Sequence, residues 1–161
     1  MRVVCNTSPI TNLAAIDRLD LLHQLFGEIV IPQAVYNELT VLPNPVPGTV
    51  EVQTLSWFRV QQVGDRSQVA EFRRKVDFGE AEALALALEV SAERVLIDDA
   101  AGRAIALELG LTITGVLGVL LMAKQRQLIA DVRSLMDSLM TQAGFWIGDE
   151  LYQRVLQQAG E

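Results

Sequence analysis

The sequence predicts an α/β fold, a three-layer α/β/α domain in which a mostly parallel central sheet lies between layers of helices. Short apolar runs typical of buried strands alternate with helical patterns along nearly the whole chain. The clearest run, Val95 to Ile97, has no polar interruption, as expected of a strand that is buried on both faces. No internal repeat, low-complexity tract or linker breaks the alternation, so we expect a single domain over residues 1–161.

The first half of the chain alternates strands with helices. Strands are predicted at Arg2–Cys5, Glu28–Ile31 and Trp57–Val63, and helices from Pro9 onward, at Asp17–Phe26, at Pro32–Leu39 and at Ser67–Val76. Ser8 suits the N-cap of the first helix and Pro9 its first position, where the missing N–H costs nothing. Gly27 ends the second helix. Three prolines and a glycine between Val41 and Gly48 predict a loop.

The second half becomes increasingly helical. Strands are predicted at Val95–Ile97 and Leu111–Thr114, with a further edge strand at Phe145–Ile147, and helices at Asp77–Val90, Ala100–Leu109, Gly115–Gln125, Ile129–Gln142 and Asp149–Gln158. The segment Ala81–Leu88 is apolar nearly all round, which predicts a buried helix.

Composition and charge restrict the function. With 20 acidic and 13 basic residues the net charge is −7, which argues against a protein that binds nucleic acid only by neutralising its backbone. The net charge does not exclude an enzyme that binds phosphate through a divalent cation, because the clustered carboxylates that lower the charge would form the cation site. The single cysteine excludes an internal disulfide and fits a reducing cytoplasm, the localisation we expect. No secretory pattern opens the sequence, and no apolar stretch reaches the roughly 20 residues of a membrane span.

Polar side chains stand where the predicted strands end. Asp98 and Asp99 follow the central strand and Asn6 follows the first strand, while Glu38 and Glu80 lie on helices that begin near the same edge. In open α/β sheets ligands collect at this edge. Gathered carboxyl oxygens would bind a hard cation. With one histidine and one cysteine in the chain, a zinc site or a Ser-His-Asp triad is poorly supplied.

Six segments in order carry a resemblance to a known family. They are Val4-Cys-Asn-Thr-Ser-Pro-Ile10, Ile31-Pro-Gln-Ala-Val-Tyr-Asn-Glu-Leu39, Gly79-Glu-Ala-Glu-Ala-Leu-Ala-Leu-Ala87, Leu96-Ile-Asp-Asp-Ala-Ala-Gly-Arg103, Thr114-Gly-Val-Leu-Gly-Val-Leu-Leu121 and Gly144-Phe-Trp-Ile147. In these segments the chain resembles the PIN-domain family, the VapC-like toxin ribonucleases and their relatives. It is most similar to a prokaryotic subfamily of unassigned function.

The resemblance implies a Mg²⁺- or Mn²⁺-dependent ribonuclease, often the toxin that is paired with a small antitoxin protein. The family's four acidic positions match Asn6, Glu38, Glu80 and either Asp98 or Asp99. The hydroxyl that follows the first acid in the family matches Ser8. The implied metal ligands are Glu38, Glu80, Asp98 and Asp99. Arg103, one helical turn beyond Asp99, is expected to approach a phosphate or to pair with one of the acids.

The first of these positions departs from the family pattern. Where the family has an aspartate, this chain has Asn6. An amide can coordinate a cation through its carbonyl oxygen, but it brings no negative charge and cannot accept a proton from an attacking water. We therefore expect weakened cation binding and a feeble or inactive nuclease.

Each site residue also has a plainer interpretation. Asn6 could cap its turn, and Glu38 could be a solvated surface charge. Either aspartate of the pair could cap the following helix, where its charge is favourable. These alternatives stay open on the sequence alone.

The buried helix raises a similar ambiguity. Asp77 and Glu80 have the spacing of a capping box. Glu82 cannot share the direction of Glu80, since residues two apart do not face each other on a helix. Only one of the two should face the site, and we favour Glu80.

The alternative function is a catalytically degenerate PIN-like domain that acts by binding protein or nucleic acid, with Asn6 as its mark. The segment Gly118–Ala123, with Leu135, Leu139 and Met140, could support a homodimer, although the same residues could close the core.

Overall fold

The computed structural model describes residues 1–161, and its five strands form one entirely parallel sheet. The strands are β1 (Val3–Cys5), β2 (Ile29–Pro32), β3 (Phe58–Gln61), β4 (Arg94–Leu96) and β5 (Ile113–Thr114). They are ordered β3-β2-β1-β4-β5 across the sheet. The predicted α/β fold class with a parallel central sheet is confirmed.

Ten helices accompany the strands. They are α1 (Thr7–Ala15), α2 (Asp20–Phe26), α3 (Gln33–Thr40), α4 (Thr49–Thr54), α5 (Arg66–Phe72), α6 (Phe78–Glu89), α7 (Ala100–Glu108), α8 (Val116–Gln125), α9 (Arg133–Gln142) and α10 (Asp149–Gln158). None of them is both long and apolar enough to cross a lipid bilayer.

The sheet has two faces and each is covered by helices. Along β1 the side chains of Val3 and Cys5 enter one apolar core, while Val4 between them enters the other. This alternation is the normal consequence of strand geometry. One core is built with α1, α2, α3, α8, α9 and α10, and the other with α5, α6 and α7. Nine consecutive residues of α6, from Gly79 to Ala87, are buried, as the apolar pattern predicts.

The position of β1 determines where a site can form. The chain moves from β1 outward through β2 to β3, then returns to the other side of β1 with β4 and β5. The carboxyl ends of β1 and β4 therefore flank the point where the strand order reverses, which is the usual ligand crevice of such sheets. The backbone N–H of Asn6 donates to the carbonyl oxygen of Leu96 at 3.0 Å and continues this pairing to the edge.

Two local predictions are wrong and one helix was not predicted. Phe145–Ile147 forms no strand, and the sheet ends at β5. Ile147 is instead buried in the helical core, and this packing alone explains its apolar character. Ser8 does not cap α1: the helix begins at Thr7, two residues earlier than predicted, and the Ser8 hydroxyl accepts a hydrogen bond from Asn12. Helix α4 was not predicted, because the prolines before it obscured its start.

The apolar residues considered for a homodimer mostly close the core. Leu120, Ala123 and Leu139 are completely buried within the chain. Their apolar character is therefore satisfied by intramolecular packing and gives no support to a homodimer.

Candidate active site

Asn6 lies at the carboxyl end of β1, directly at the reversal of strand order. It is 4% exposed and occupies the N-cap position of α1 with extended backbone angles. Its side chain makes no capping hydrogen bond. The plainer interpretation, a side chain that caps the turn, thus finds no support in the geometry.

Glu38 reaches this edge from α3. The hydroxyl of Thr7 donates to its Oε2 at 2.5 Å. On its other side the carboxylate lies against Gly79, where a Cβ atom would overlap Oε1 and force the carboxylate to move. Burial raises the pKa of Glu38 and the negative charge of Asp77 raises it further, while the hydrogen bond from Thr7 opposes the shift. The carboxylate is half-buried and is not a freely solvated charge.

Glu80, in the first turn of α6, is the most strongly perturbed acid of the edge. It is 9% exposed. Burial, followed by the charges of Asp77 and Asp99, raises its pKa to about 7. The proximity of the Asp99 carboxylate therefore disfavours the charged form of Glu80. Like charges close to a nearly buried carboxyl group raise its pKa in this way.

Two helix starts bring these acids together. Asp77 caps α6 by accepting from the backbone N–H of Glu80 at 2.9 Å, and Asp99 caps α7 by accepting from that of Gly102 at 2.8 Å. Both caps are formed as the residue types predict. Capping by Asp99 does not exclude a role in the site, because its charge also acts on Glu80.

Asp98 points away from this pair. Its Oδ1 accepts from the backbone N–H of Val116, at the start of α8, at 3.0 Å, and its Oδ2 is buried without a partner. Burial raises its pKa, opposed by the Val116 N–H and by the charge of Arg103. Arg103 also donates to the carbonyl oxygen of Ile97 at 3.4 Å. The two adjacent aspartates thus serve different helices.

Glu82 faces another part of the molecule. Its Oε1 accepts from the backbone N–H of Ala34 at 2.9 Å, and its Oε2 forms an ion pair with Arg66 at 2.6 Å. Glu82 is therefore committed to holding the start of α3, while Glu80 turns toward Asp99.

The acids form a row along the sheet edge. Its members, in order of their electrostatic influence on one another, are Glu38, Asp77, Glu80 and Asp99. In the present conformation no three acidic, histidine or cysteine side chains lie close enough to hold one metal ion together. Two carboxylates are nevertheless enough for Mg²⁺, which commonly keeps several waters and takes further oxygens from a substrate phosphate. The Glu80–Asp99 pair fits that requirement, since a cation would relieve the repulsion that raises the pKa of Glu80.

Two residues of this arrangement were not predicted for the site. Asp77 was interpreted only as a helix cap, although its charge acts on both glutamates. Thr7, rather than Ser8, supplies the hydroxyl that contacts Glu38. The start of α1 at residue 7 puts Thr7 beside α3, and the predicted helix start, two residues too late, obscured this.

Comparison with known families agrees with the geometry. A family model described as a PIN domain, DUF3368, matches residues 2–161, so the chain belongs to the PIN-domain family. The fold is of the nuclease type, and PIN domains generally use divalent metal ions. The search of curated proteins gave no significant match.

The raised pKa of Glu80 predicts that this acid destabilises the metal-free protein at alkaline pH. The pKa is about 7 in the folded chain against an ordinary 4.5, so the folded state holds a proton that the unfolded state has released. Stability should fall as the pH rises through this window. We expect Glu80→Gln to raise the melting temperature at pH 8 by roughly 2–4 °C and to change it little at pH 4.5. Thermal unfolding in EDTA at both pH values measures this.

Glu82→Gln is the matched control on the same helix. It leaves Arg66 without its buried partner and should lower the melting temperature at both pH values. If Glu80→Gln also lowered the melting temperature at pH 8, the proposed repulsion at Asp99 would be wrong.

Proposed function

We propose that the protein is a divalent-cation-dependent endoribonuclease that uses Mg²⁺ or Mn²⁺. The observation that carries the proposal is the meeting of Glu80 and Asp99 at the reversal of strand order, with the pKa of Glu80 raised to about 7. A carboxylate pair under such repulsion is typical of a functional site. The proposal also has the support of PIN-family membership.

We assign the site residues distinct roles. Glu80 and Asp99 hold the cation, with Glu38 as the third acid beside them and Asn6 as a neutral oxygen ligand. Asp98, proposed from the sequence as a metal ligand, fixes the start of α8 and leaves Asp99 to face the metal.

The chemistry proposed is hydrolysis of a phosphodiester by in-line attack of water. A bound divalent cation would lower the pKa of a coordinated water and offset the charge of the phosphoryl group. Glu38 is placed to accept the proton from the attacking water, because burial raises its pKa above that of an ordinary glutamate. Thr7 orients Glu38 through the hydrogen bond to Oε2.

Cleavage of a mixed RNA pool in Mn²⁺ tests the proposal. We expect weak cleavage by the native chain. Asn6→Asp should raise the rate by about tenfold or more, because it restores a negative charge next to the cation, and Glu38→Gln should lower it by about a hundredfold, the usual range for loss of a general base. Product formation on denaturing gels gives the rates.

Glu28→Gln is the control for charge, since it removes an exposed acid at the opposite end of the sheet. It should leave the rate unchanged. The nuclease proposal loses its support if neither the native chain nor Asn6→Asp cleaves RNA in Mn²⁺.

We also propose that the chain acts as the toxin of a toxin–antitoxin pair, with a small antitoxin protein as its inhibitor. The support is the resemblance to VapC-like ribonucleases. Induced expression of Asn6→Asp should arrest bacterial growth if this role is correct, and the additional change Glu38→Gln should remove the arrest.

A second candidate function, protein association by a degenerate domain, is favoured by Trp146. This side chain is 85% exposed. It borders a cavity of about 750 Å³ between β5, α8 and α10, which Phe145 and Leu151 also line. An exposed tryptophan beside an apolar cavity is typical of an interaction surface. A homodimer through this face is the simplest form of the proposal.

Light scattering after gel filtration tests association. A dimer through this face should become a monomer in Trp146→Ser and stay a dimer in Leu107→Ser, which removes an apolar side chain that is 64% exposed on α7. A monomeric native chain contradicts the homodimer. Mn²⁺ separates the two functions: a working metal site is stabilised by mass action, so its melting temperature rises, whereas a degenerate domain shows no rise.

A further inference from the structure

The only run of three consecutive cations in the chain lies in the turn between α5 and α6. It consists of Arg73, Arg74 and Lys75, and all three side chains are exposed. Backbone hydrogen bonds from Arg74 to Glu71 and from Lys75 to Phe72, at 3.3 and 3.0 Å, give the turn a defined shape. In a chain of net charge −7, a local concentration of positive charge needs an explanation.

The turn borders the candidate active site. The three cations line a cavity of about 470 Å³ together with Asp77, Glu80 and Asp99. Despite this proximity none of the three forms an ion pair, while Arg18, Arg59, Arg66, Lys124 and Arg154 all do. Cations that share a cavity with carboxylates but do not pair with them are free to bind another anion.

Arg73 differs from its two neighbours. Its guanidinium lies over the ring of Phe78, 4.9 Å from the ring centre, which holds it by cation–π attraction. Arg74 and Lys75 have no comparable partner. They are therefore the side chains with the freedom to reach a ligand at the rim of the cavity.

A polyanion with regularly spaced charges fits this arrangement. A cation bound by Glu80 and Asp99 can engage one phosphate, and the next phosphates along the strand then need positive partners within a few ångströms. The turn between α5 and α6 supplies such positive partners, because its three cations line the same cavity as Glu80 and Asp99. A strongly acidic protein needs such a local contact, since its overall field repels nucleic acid.

We propose that Arg74 and Lys75 bind backbone phosphates of the single-stranded RNA substrate and so position the strand across Glu80 and Asp99. The proposal rests on the proposed ribonuclease function and names the residues that would hold its substrate. These are positioning residues: they contact phosphates that flank the one being cleaved.

The salt dependence of RNA binding tests this. The probe is a labelled single-stranded RNA of about 12 nucleotides, a length that fits one such groove, titrated with protein in EDTA at several salt concentrations. Each phosphate contact contributes about 0.7 to the slope of log Kd against log salt for single strands. Arg74→Gln with Lys75→Gln should therefore reduce the slope by about 1.4. A DNA probe of the same sequence should show the same reduction, because the phosphates are common to both.

Arg59→Gln with Arg154→Gln is the matched control. It also removes two exposed charges, changing the net charge from −7 to −9, but at positions that do not line the cavity. Its slope should stay that of the native chain. An equal fall in both double variants would assign the effect to net charge and overturn the proposal, as would an unchanged slope in the Arg74 and Lys75 variant.

Cleavage measured in parallel separates this inference from the proposed function. If the native chain cuts RNA in Mn²⁺ but the slope does not depend on Arg74 and Lys75, the positioning role is wrong and the nuclease stands. If the slope depends on them but no cleavage occurs, the phosphate site stands and the nuclease is wrong. Absence of RNA binding in EDTA together with absence of cleavage in Mn²⁺ would overturn both.

Discussion

The repulsion among carboxylates at one edge of the sheet is the constraint on which the proposed chemistry depends. Asp77 and Asp99 cap two different helices, and Glu80 lies between them in a nearly buried position. Helix N-termini offset part of this negative charge, because their N–H groups and dipoles favour anions. The compensation is incomplete, since the pKa of Glu80 still rises to about 7. A structure that maximised stability would place an apolar residue or a paired acid there, as it does with Glu82 and Arg66.

The fold creates this crowding through topology. Because β1 lies between β2 and β4, the loops that follow β1 and β4 diverge to different helices and leave an open edge between them. Helix α6 then packs its buried length against the sheet and delivers its first turn to that edge. Gly79 completes the arrangement, since its missing Cβ lets the Glu38 carboxylate approach α6 from α3. Three elements that are distant in sequence thus meet at one place.

Sequence reasoning predicted the fold well because the sheet is parallel and covered on both faces. Strand β1, and Val95 and Leu96 of β4, are buried and unbroken apolar runs, and turn residues flank the strands along the chain. The same signal failed at Phe145–Ile147, where apolar residues pack in a helical core without belonging to a strand. Hydrophobicity reports burial, and it does not by itself report hydrogen-bond partners.

Side-chain direction was harder to predict than position. Asp98 and Asp99 are adjacent in sequence, yet one accepts from the start of α8 and the other from the start of α7. That divergence depends on where two helices begin in space, which no local pattern records. For Glu80 and Glu82 the helical period was sufficient, because it fixes relative direction within one element. The charge of Asp77 acts on Glu38 and Glu80 as well as capping α6, and the capping pattern in the sequence indicates only the second of these roles.

The effect of Asn6 depends on the negative charge already present at this edge of the sheet. An aspartate in the same place would add a further buried negative charge to the edge of the sheet at which the pKa values of Glu38 and Glu80 are already raised. The amide keeps an oxygen at the end of β1 without that repulsion, so the metal-free protein is more stable than its aspartate counterpart would be. In the proposed metal site an asparagine would attract a cation less strongly than an aspartate, because it brings no negative charge. Asparagine at position 6 therefore favours the stability of the fold over the affinity that the proposed site would have for a cation.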